Sequence, residues 1–324
     1  MPSVITFGEA LIDFISLETG VSVAASSGFK KAAGGAPANV AVGLSRLGVK
    51  SAFVGKVGED PFGKYLYRTL AAAGVDTTQL LFSREARTGL AFVSLTEDGE
   101  REFSFYRHPS ADMLYHPDEI NPRILDRAQI FHFGSLSLIQ EPSRSAALSW
   151  ITHARRRGLL ISYDPNLRVN LWPDPASARR GIRSVWDQAQ LIKLSAEEFS
   201  FLVEKQVNFQ DLDQVWTAAQ QLQHKQLKLL VITRGKDGCL VLTPGGIDHY
   251  PGYQVNAVDT TGAGDGFMAG LLAGLIFQGA ETDPLQHLDE IIPLANAAGA
   301  LTTLKKGAIS ALPTLPEVRE LTSR

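Results

Sequence analysis

The chain has little means of cross-linking itself: its 324 residues hold one cysteine, Cys239, which cannot close an intramolecular disulfide. Cys239 stands among apolar neighbours in Gly238-Cys-Leu-Val-Leu242, the pattern of a buried strand, and the compartment expected is reducing. An excess of positive charge is also missing. With 31 Lys+Arg against 34 Asp+Glu the net charge is −3, so no summed field favours nucleic acid or an anionic membrane. Long apolar runs are absent too, since Ala269–Phe277 falls far short of the roughly 20 residues a spanning helix needs. Glu9 and Asp13 interrupt the first apolar stretch and no basic leader precedes it, so a cytoplasmic protein without a secretory signal is expected. The 7 histidines form no His-Glu-x-x-His pattern, which disfavours a zinc hydrolase. Gly43-Leu-Ser-Arg-Leu-Gly48 has P-loop glycine spacing, but Val49-Lys50 follows where Lys-Ser/Thr is required. Gly262-Ala-Gly264 opens like a dinucleotide fingerprint, yet Phe267 occupies the third glycine's place. Repeats and low-complexity tracts are lacking. What remains is an ordinary globular composition, 44% hydrophobic, whose expected partner is a small molecule.

Short apolar runs rich in β-branched and aromatic residues alternate with longer segments of helical spacing, the signature of an α/β fold with a mostly parallel sheet. Strands are predicted at Val4–Phe7, Ala52–Val57, Ile130–Phe133, Leu159–Tyr163, Leu191–Leu194, Leu229–Thr233, Cys239–Leu242 and Tyr253–Val258. Helices are predicted at Ala38–Leu47, Phe62–Ala73, Ser143–Arg157, Ala176–Gln188, Ala196–Val203, Leu212–His224, Gly262–Phe277 and Leu285–Leu304. Two early stretches break this rhythm. Phe14–Lys31 has short apolar pieces, and Thr88–Leu95 with Glu102–Tyr106 reads as two strands joined around Asp98-Gly99, a turn signal. Together they suggest a small antiparallel sheet over residues 14–33 and 87–110, serving as a lid or as a dimerisation surface; edge strands of the main sheet remain the alternative.

Asp259-Thr-Thr-Gly-Ala-Gly-Asp-Gly-Phe267 sets three glycines before a strongly apolar helix. Glycine-rich backbone at a helix start turns several N–H groups toward one point, where the helix dipole favours an anion. Asp265 lies where a phosphate would bind, while Asp259 is already available as a cap. A carboxylate beside an anion cradle suits phosphoryl transfer, in which the base orients a hydroxyl and receives its proton. The same glycines also suit plain close packing. Gly34-Gly35-Ala-Pro-Ala-Asn39 enters another helix with room for close approach, and Asn39 offers a donor and an acceptor to a hydroxyl. Asp164-Pro-Asn-Leu-Arg168, together with Glu9 and Asp13, follows strands and so belongs to the carboxyl edge where α/β sheets bind ligands. Exposed loop charges are the alternative for each.

These residues carry a resemblance. Asp259–Phe267 and Gly34–Gly48 resemble the two signatures of the ribokinase-like (PfkB) carbohydrate kinases, in the expected order and over essentially the whole chain. Phe105-Tyr-Arg-His-Pro-Ser-Ala-Asp112, Asp164–Arg168 and Gly8-Glu-Ala-Leu-Ile-Asp13 are similar to fructokinase segments within that family, although 2-keto-3-deoxygluconate kinases share several of them. The resemblance implies a single ribokinase-like three-layer α/β/α domain over 1–324, with a mostly parallel central sheet plus a small β-sheet lid. It implies an ATP-dependent sugar kinase using Mg2+, with Asp265 as catalytic base and the Gly262, Ala263 and Gly264 backbone as anion hole.

By the same resemblance Asp13, Gly34, Gly35, Asn39, Asn166 and Arg168 meet the sugar, with Tyr106 or Arg107 reaching in from the lid. Lys193, Ser195, Thr233, Gly235, Gly238 and Asn296 serve the nucleotide, and Glu198 organises magnesium through water. Two departures stand out. Ser195-Ala-Glu-Glu198 replaces Asn-x-x-Glu, leaving the frame open between Glu197 and Glu198. Lys306 supplies a cation near the monovalent-cation loop of potassium-dependent relatives, which speaks against potassium activation. A nucleoside kinase is disfavoured because the lid and strand-edge segments are polar and cationic rather than aromatic. A catalytically silent sugar-binding protein on the same fold is the alternative from another class.

Overall fold

In a computed structural model that describes residues 1–95, 101–279 and 284–323, most of the expected strands and helices are present. The strands are β1 (Val4–Phe7), β2 (Leu11–Thr19), β3 (Phe29–Gly34), β4 (Ser51–Gly58), β5 (Asp76–Ser83), β6 (Leu90–Leu95), β7 (Arg101–Tyr106), β8 (Ile130–Phe133), β9 (Leu160–Tyr163), β10 (Leu191–Ser195), β11 (Leu229–Thr233), β12 (Cys239–Thr243) and β13 (Gly246–Tyr250). The helices are α1 (Ala36–Arg46), α2 (Pro61–Ala72), α3 (Ser143–Arg156), α4 (Pro175–Arg183), α5 (Ala196–Val203), α6 (Leu212–Ala219), α7 (Ala263–Gln278), α8 (Leu288–Thr302), α9 (Ala308–Ala311) and α10 (Leu315–Thr322). The turn expected at Asp98-Gly99 lies outside the described residues.

Nine strands form the central sheet in the order β13-β12-β11-β10-β9-β8-β1-β4-β5. Pairing is parallel from β5 to β11, and antiparallel only where β12 and β13 close one edge. β1 and β8, at the centre, are buried at every position, as strands covered on both faces must be. Helices α3 to α6 cover one face through Trp150, Ile182, Phe199 and Val215. On the other face Leu44, Leu272, Ile292 and Val318 bring α1, α7, α8 and α10 into one core, so the layers are α/β/α. From β1 the chain runs outward to β4 and β5, and from β8 it runs the opposite way. The switch point therefore falls between β1 and β8, where ligands bind at carboxyl ends.

A separate four-stranded sheet, β3-β2-β6-β7, stands beside this domain and corresponds to the lid. It is not wholly antiparallel, because β2 pairs with β6 in parallel. The expected strand Tyr253–Val258 is absent. Its backbone is satisfied elsewhere: the N–H groups of Val258 and Asp259 both donate to the Thr303 carbonyl, at 2.8 and 3.1 Å. At Gly252 a Cβ would come within 2.4 Å of the Lys236 carbonyl, so the chain is pressed against a loop rather than laid beside a strand. Ala176–Gln188 likewise splits into α4 and a short 3-10 turn at Trp186–Gln188.

Candidate active site

Helix α7 starts at Gly262, whose φ of 78° is the left-handed conformation that glycine adopts without strain. No side chain caps it. Asp259, expected as an available cap, is engaged elsewhere: Oδ1 accepts from the Thr261 N–H at 2.9 Å and Oδ2 from the Gly307 N–H at 2.9 Å. The Ala263 N–H turns back to the Thr260 carbonyl at 3.2 Å, and the only acid in the first turn of this apolar 16-residue helix is Asp265. A Cβ on Gly264 would lie 3.0 Å from Lys193 Nζ, so the absence of a side chain there brings the ammonium against the turn.

Asp265, on the first turn, is 8% exposed and accepts a 2.7 Å hydrogen bond from Asn39 Nδ2. That contact joins the two glycine-rich segments, 226 residues apart in sequence. Asn39 Oδ1 is buried and has no partner among the described residues. Burial raises the Asp265 pKa to about 6; the Asn39 amide, Lys193 and Arg168 oppose the rise, and Asp164 adds to it. Asp13 on β2 is pushed up to about 7 by burial, against the pull of Arg168 and with the repulsion of Asp265. A Cβ at Gly34 would fall 2.1 Å from Asp13 Oδ2, which explains glycine there. Arg168 is held by its own loop, Nη1 donating to the Leu167 carbonyl at 3.0 Å and the Asn166 carbonyl at 3.3 Å. Asn166 takes a left-handed φ of 46°, its N–H bonded to Asp164 Oδ1 at 3.2 Å. Asp13, Gly34, Asn39, Arg168 and Asp265 therefore converge.

Gly35 and Glu9 back this cluster. A Cβ on Gly35 would sit 2.3 Å from the Glu9 carbonyl, and Glu9 Oε1 accepts the Ala36 N–H at 3.0 Å. Burial pushes the Glu9 pKa up to about 7, with Arg107 pulling it down. The two lid residues behave differently from what was expected. Arg107 is buried and paired with Asp112. Tyr106 is 63% exposed and packs edge-on against Phe92, 5.3 Å away. Strand register accounts for this: Asp13 aligns with Ala91, which aligns with Phe105, so Phe105 shares Asp13's face and Tyr106 belongs to the other. The spacing of the segment alone carries no phase, and Phe105 went unread.

Beneath the site, Lys193 Nζ donates to Asp164 Oδ2 at 3.0 Å, both groups buried. Burial works against the ammonium, but Asp164 and Glu198 outweigh it and its pKa is raised. Glu198 forms a reciprocal cap with Ser195 and also accepts the Leu167 N–H at 2.6 Å. Glu197 is exposed, whereas Glu198 is the one bonded into this network. Lys193 and Ser195 are thus engaged with Asp164 and Glu198.

On the far side of Gly264 lies a cavity of about 240 Å³. Of the residues that the resemblance assigned to the nucleotide, Thr233, Gly235, Gly238, Gly264 and Asn296 line it, and Lys193, Ser195 and Gly262 do not. Asn296 Nδ2 donates to the Pro251 carbonyl at 3.0 Å. Tyr253, Phe267, Gly299 and Ala300 also line the cavity and were missed. The run Ala295-Asn-Ala-Ala-Gly-Ala300 was the available signal, because small residues on α8 open the space.

Known proteins resemble this chain along nearly its whole length. The family described as pfkB family carbohydrate kinase matches residues 1–315. The chain is 49% identical over 312 residues to a probable fructokinase-2 of Arabidopsis thaliana, covering 96% of this chain and 93% of that one. It is 48% identical over 326 residues to fructokinase-2 of Oryza sativa subsp. japonica, covering 99% and 94%. Among solved structures, a fructokinase of Vibrio cholerae O395 with fructose, ADP and calcium ion bound superposes with a TM-score of 0.87 at 35% identity, covering 99% of each chain. A sugar kinase of Pyrococcus horikoshii in complex with ATP gives 0.84 at 35% identity, covering 98% of this chain and 99% of that one. With a family match over nearly the whole chain and relatives about half identical along their full length, the chain belongs to the pfkB family of carbohydrate kinases.

Proposed function

We propose that the protein is a fructokinase, transferring the γ-phosphoryl group of MgATP to the 6-hydroxyl of D-fructose to give fructose 6-phosphate and ADP. The observation that carries the reading is the Asp265–Asn39 contact, which sets a buried carboxylate on an uncapped helix start between the Asp13–Arg168 cluster and the cavity. With a pKa of about 6, Asp265 is mostly ionised at neutral pH and close enough to it to accept a proton as the hydroxyl loses it. Amides around Gly262–Gly264, with the Lys193 ammonium beside Gly264, meet the charge on the transferring group. Asp13, Asn39 and Arg168 orient the sugar, and the free Asn39 Oδ1 awaits a hydroxyl.

Magnesium would be carried mainly by nucleotide phosphates and water, with Glu198 acting through a water, and would neutralise phosphate charge. The residues present fit that role, since Glu198 lies beside Lys193 and Asp164 and each of its oxygens keeps a further lone pair. A fructokinase of Vibrio cholerae O395 is known with potassium bound. In this chain the exposed Lys306 lines the same groove as Asp259, and turnover is expected not to require potassium.

A 2-keto-3-deoxygluconate kinase is the less favoured reading, because it needs cations for a carboxylate and Arg107 is already committed to Asp112. Lid residues 14–33 and 87–110 cover the sugar and keep out water. A second copy is the reading for the part of the small sheet where Phe29, Phe92 and the exposed Tyr106 pack together; sedimentation of the Tyr106→Glu variant as an unchanged species would remove it. A cytoplasmic location accords with Cys239, buried and unpaired in β12, and cell fractionation decides it. A coupled ATP assay over fructose, 2-keto-3-deoxygluconate, ribose and adenosine tests the main proposal, which falls if fructose is not the preferred acceptor.

A further inference from the structure

Arg168 is fixed by its own loop through one nitrogen only. Among the described residues Nη1 alone makes hydrogen bonds, to the carbonyls of Asn166 and Leu167, which leaves Nε and Nη2 with donors to offer. Two carbonyl contacts on one nitrogen do not orient a planar fork. What faces its plane is a ring from the lid: the guanidinium carbon sits 5.6 Å from the centre of Phe103 on β7, within the range of a cation–π contact. Phe103 stacks in turn on Phe105, with centroids 5.8 Å apart and planes 8° apart, so the ring is held in place. Register puts both rings on Asp13's face, because Phe103 aligns with Val93, which aligns with Ile15, two residues from Asp13 along β2. One guanidinium is thereby set between the lid, the Asp13 carboxylate and the loop after β9.

We infer that Phe103 is a positioning residue for the acceptor sugar, acting through Arg168: its ring face orients the guanidinium whose remaining donors, with Asp13, hold the sugar. This rests on the sugar kinase reading above and adds a residue to it. The ring touches neither the reacting hydroxyl nor Asp265. Its loss weakens sugar binding and leaves the chemical step and the nucleotide side alone.

The test compares Phe103→Leu, which keeps apolar bulk but removes the π face, with Phe103→Trp and Phe103→Tyr, which keep it. For Phe103→Leu the KM for fructose is expected to rise about tenfold, equivalent to ~1.4 kcal/mol, with kcat and the KM for ATP within about twofold. The two aromatic variants stay within about threefold of wild type. A Phe103→Leu enzyme with an unchanged fructose KM, or one whose loss is all in kcat, overturns the inference. So do aromatic variants as poor as Phe103→Leu. A wild-type enzyme that ignores fructose ends the acceptor reading instead, and thermal unfolding of the ligand-free protein then decides the role of Phe103. Non-additive loss in the Phe103→Leu/Arg168→Met double variant supports action through Arg168, and additive loss contradicts it.

Discussion

The two sides of helix α7 are built by different means. On the side proposed for the sugar, the site is a knot of charge: burial raises the Asp13 and Asp265 carboxyls, Arg168 pulls both down, and Asp265 pushes Asp13 further up. On the side proposed for the nucleotide it is a cavity lined largely by small and apolar residues, Gly299, Ala300 and Phe267 among them, with Lys236 the one charged side chain in its lining. An acceptor hydroxyl has to be chosen and deprotonated, which calls for fixed charges and tolerates their cost. A nucleotide brings its own charge, so room and backbone suffice. Family members that act on different sugars are therefore expected to differ on the first side.

Removing the carboxylate should produce the largest break. Asp265→Asn keeps the shape and the Asn39 contact but leaves no base, and kcat should fall about 10³-fold, in the range typical of a lost general base. Steady-state kinetics with saturating ATP and fructose measure this. Next in size is Asp13→Asn, expected to raise the fructose KM roughly 10- to 100-fold, the equivalent of ~1.5–3 kcal/mol for hydrogen bonds to a charged group, with the ATP KM unchanged. On the other side, Ala300→Leu fills the cavity and should raise the ATP KM about tenfold without touching fructose, and crossed effects in either variant would erase the division. The smallest effect is on stability. Asp13 has its folded pKa raised to about 7 from an ordinary 3.8, so its stabilising contribution is present below that ordinary value and is lost as pH rises through about 7. Asp13→Asn should accordingly melt a few degrees above wild type at pH 8, and thermal scans at pH 5 should find that gain much reduced.

The sequence revealed the middle of the fold better than its margins. β1, β8 and β11 are short apolar runs buried in a parallel sheet, and that pattern has few other readings. β2 was not recognised as a nine-residue strand, because Asp13, Ser16 and Glu18 interrupt it on a partly exposed lid. Edge strands β5 and β13 escaped for the same reason: one face is wet and the apolar signal is halved. Tyr253–Val258 misled in the opposite direction, since β-branched residues suit any extended backbone, and here the donors find Thr303 instead of a strand. In the site, Asp265, Gly262 and Asn39 could be read because their chemistry is local to a helix start. The pairings of Arg107 with Asp112 and of Lys193 with Asp164 could not, since residue type says nothing of which partner a charge will face.

The central claim is that Asp265 takes the hydroxyl proton, and the acid limb of the kcat profile tests it most directly. Wild-type turnover should fall as pH drops through about 6, where the buried carboxyl protonates. The Asp265→Asn enzyme should show only a low residual rate without that limb. An Asn variant that keeps both near-normal turnover and the same acid limb would contradict the account.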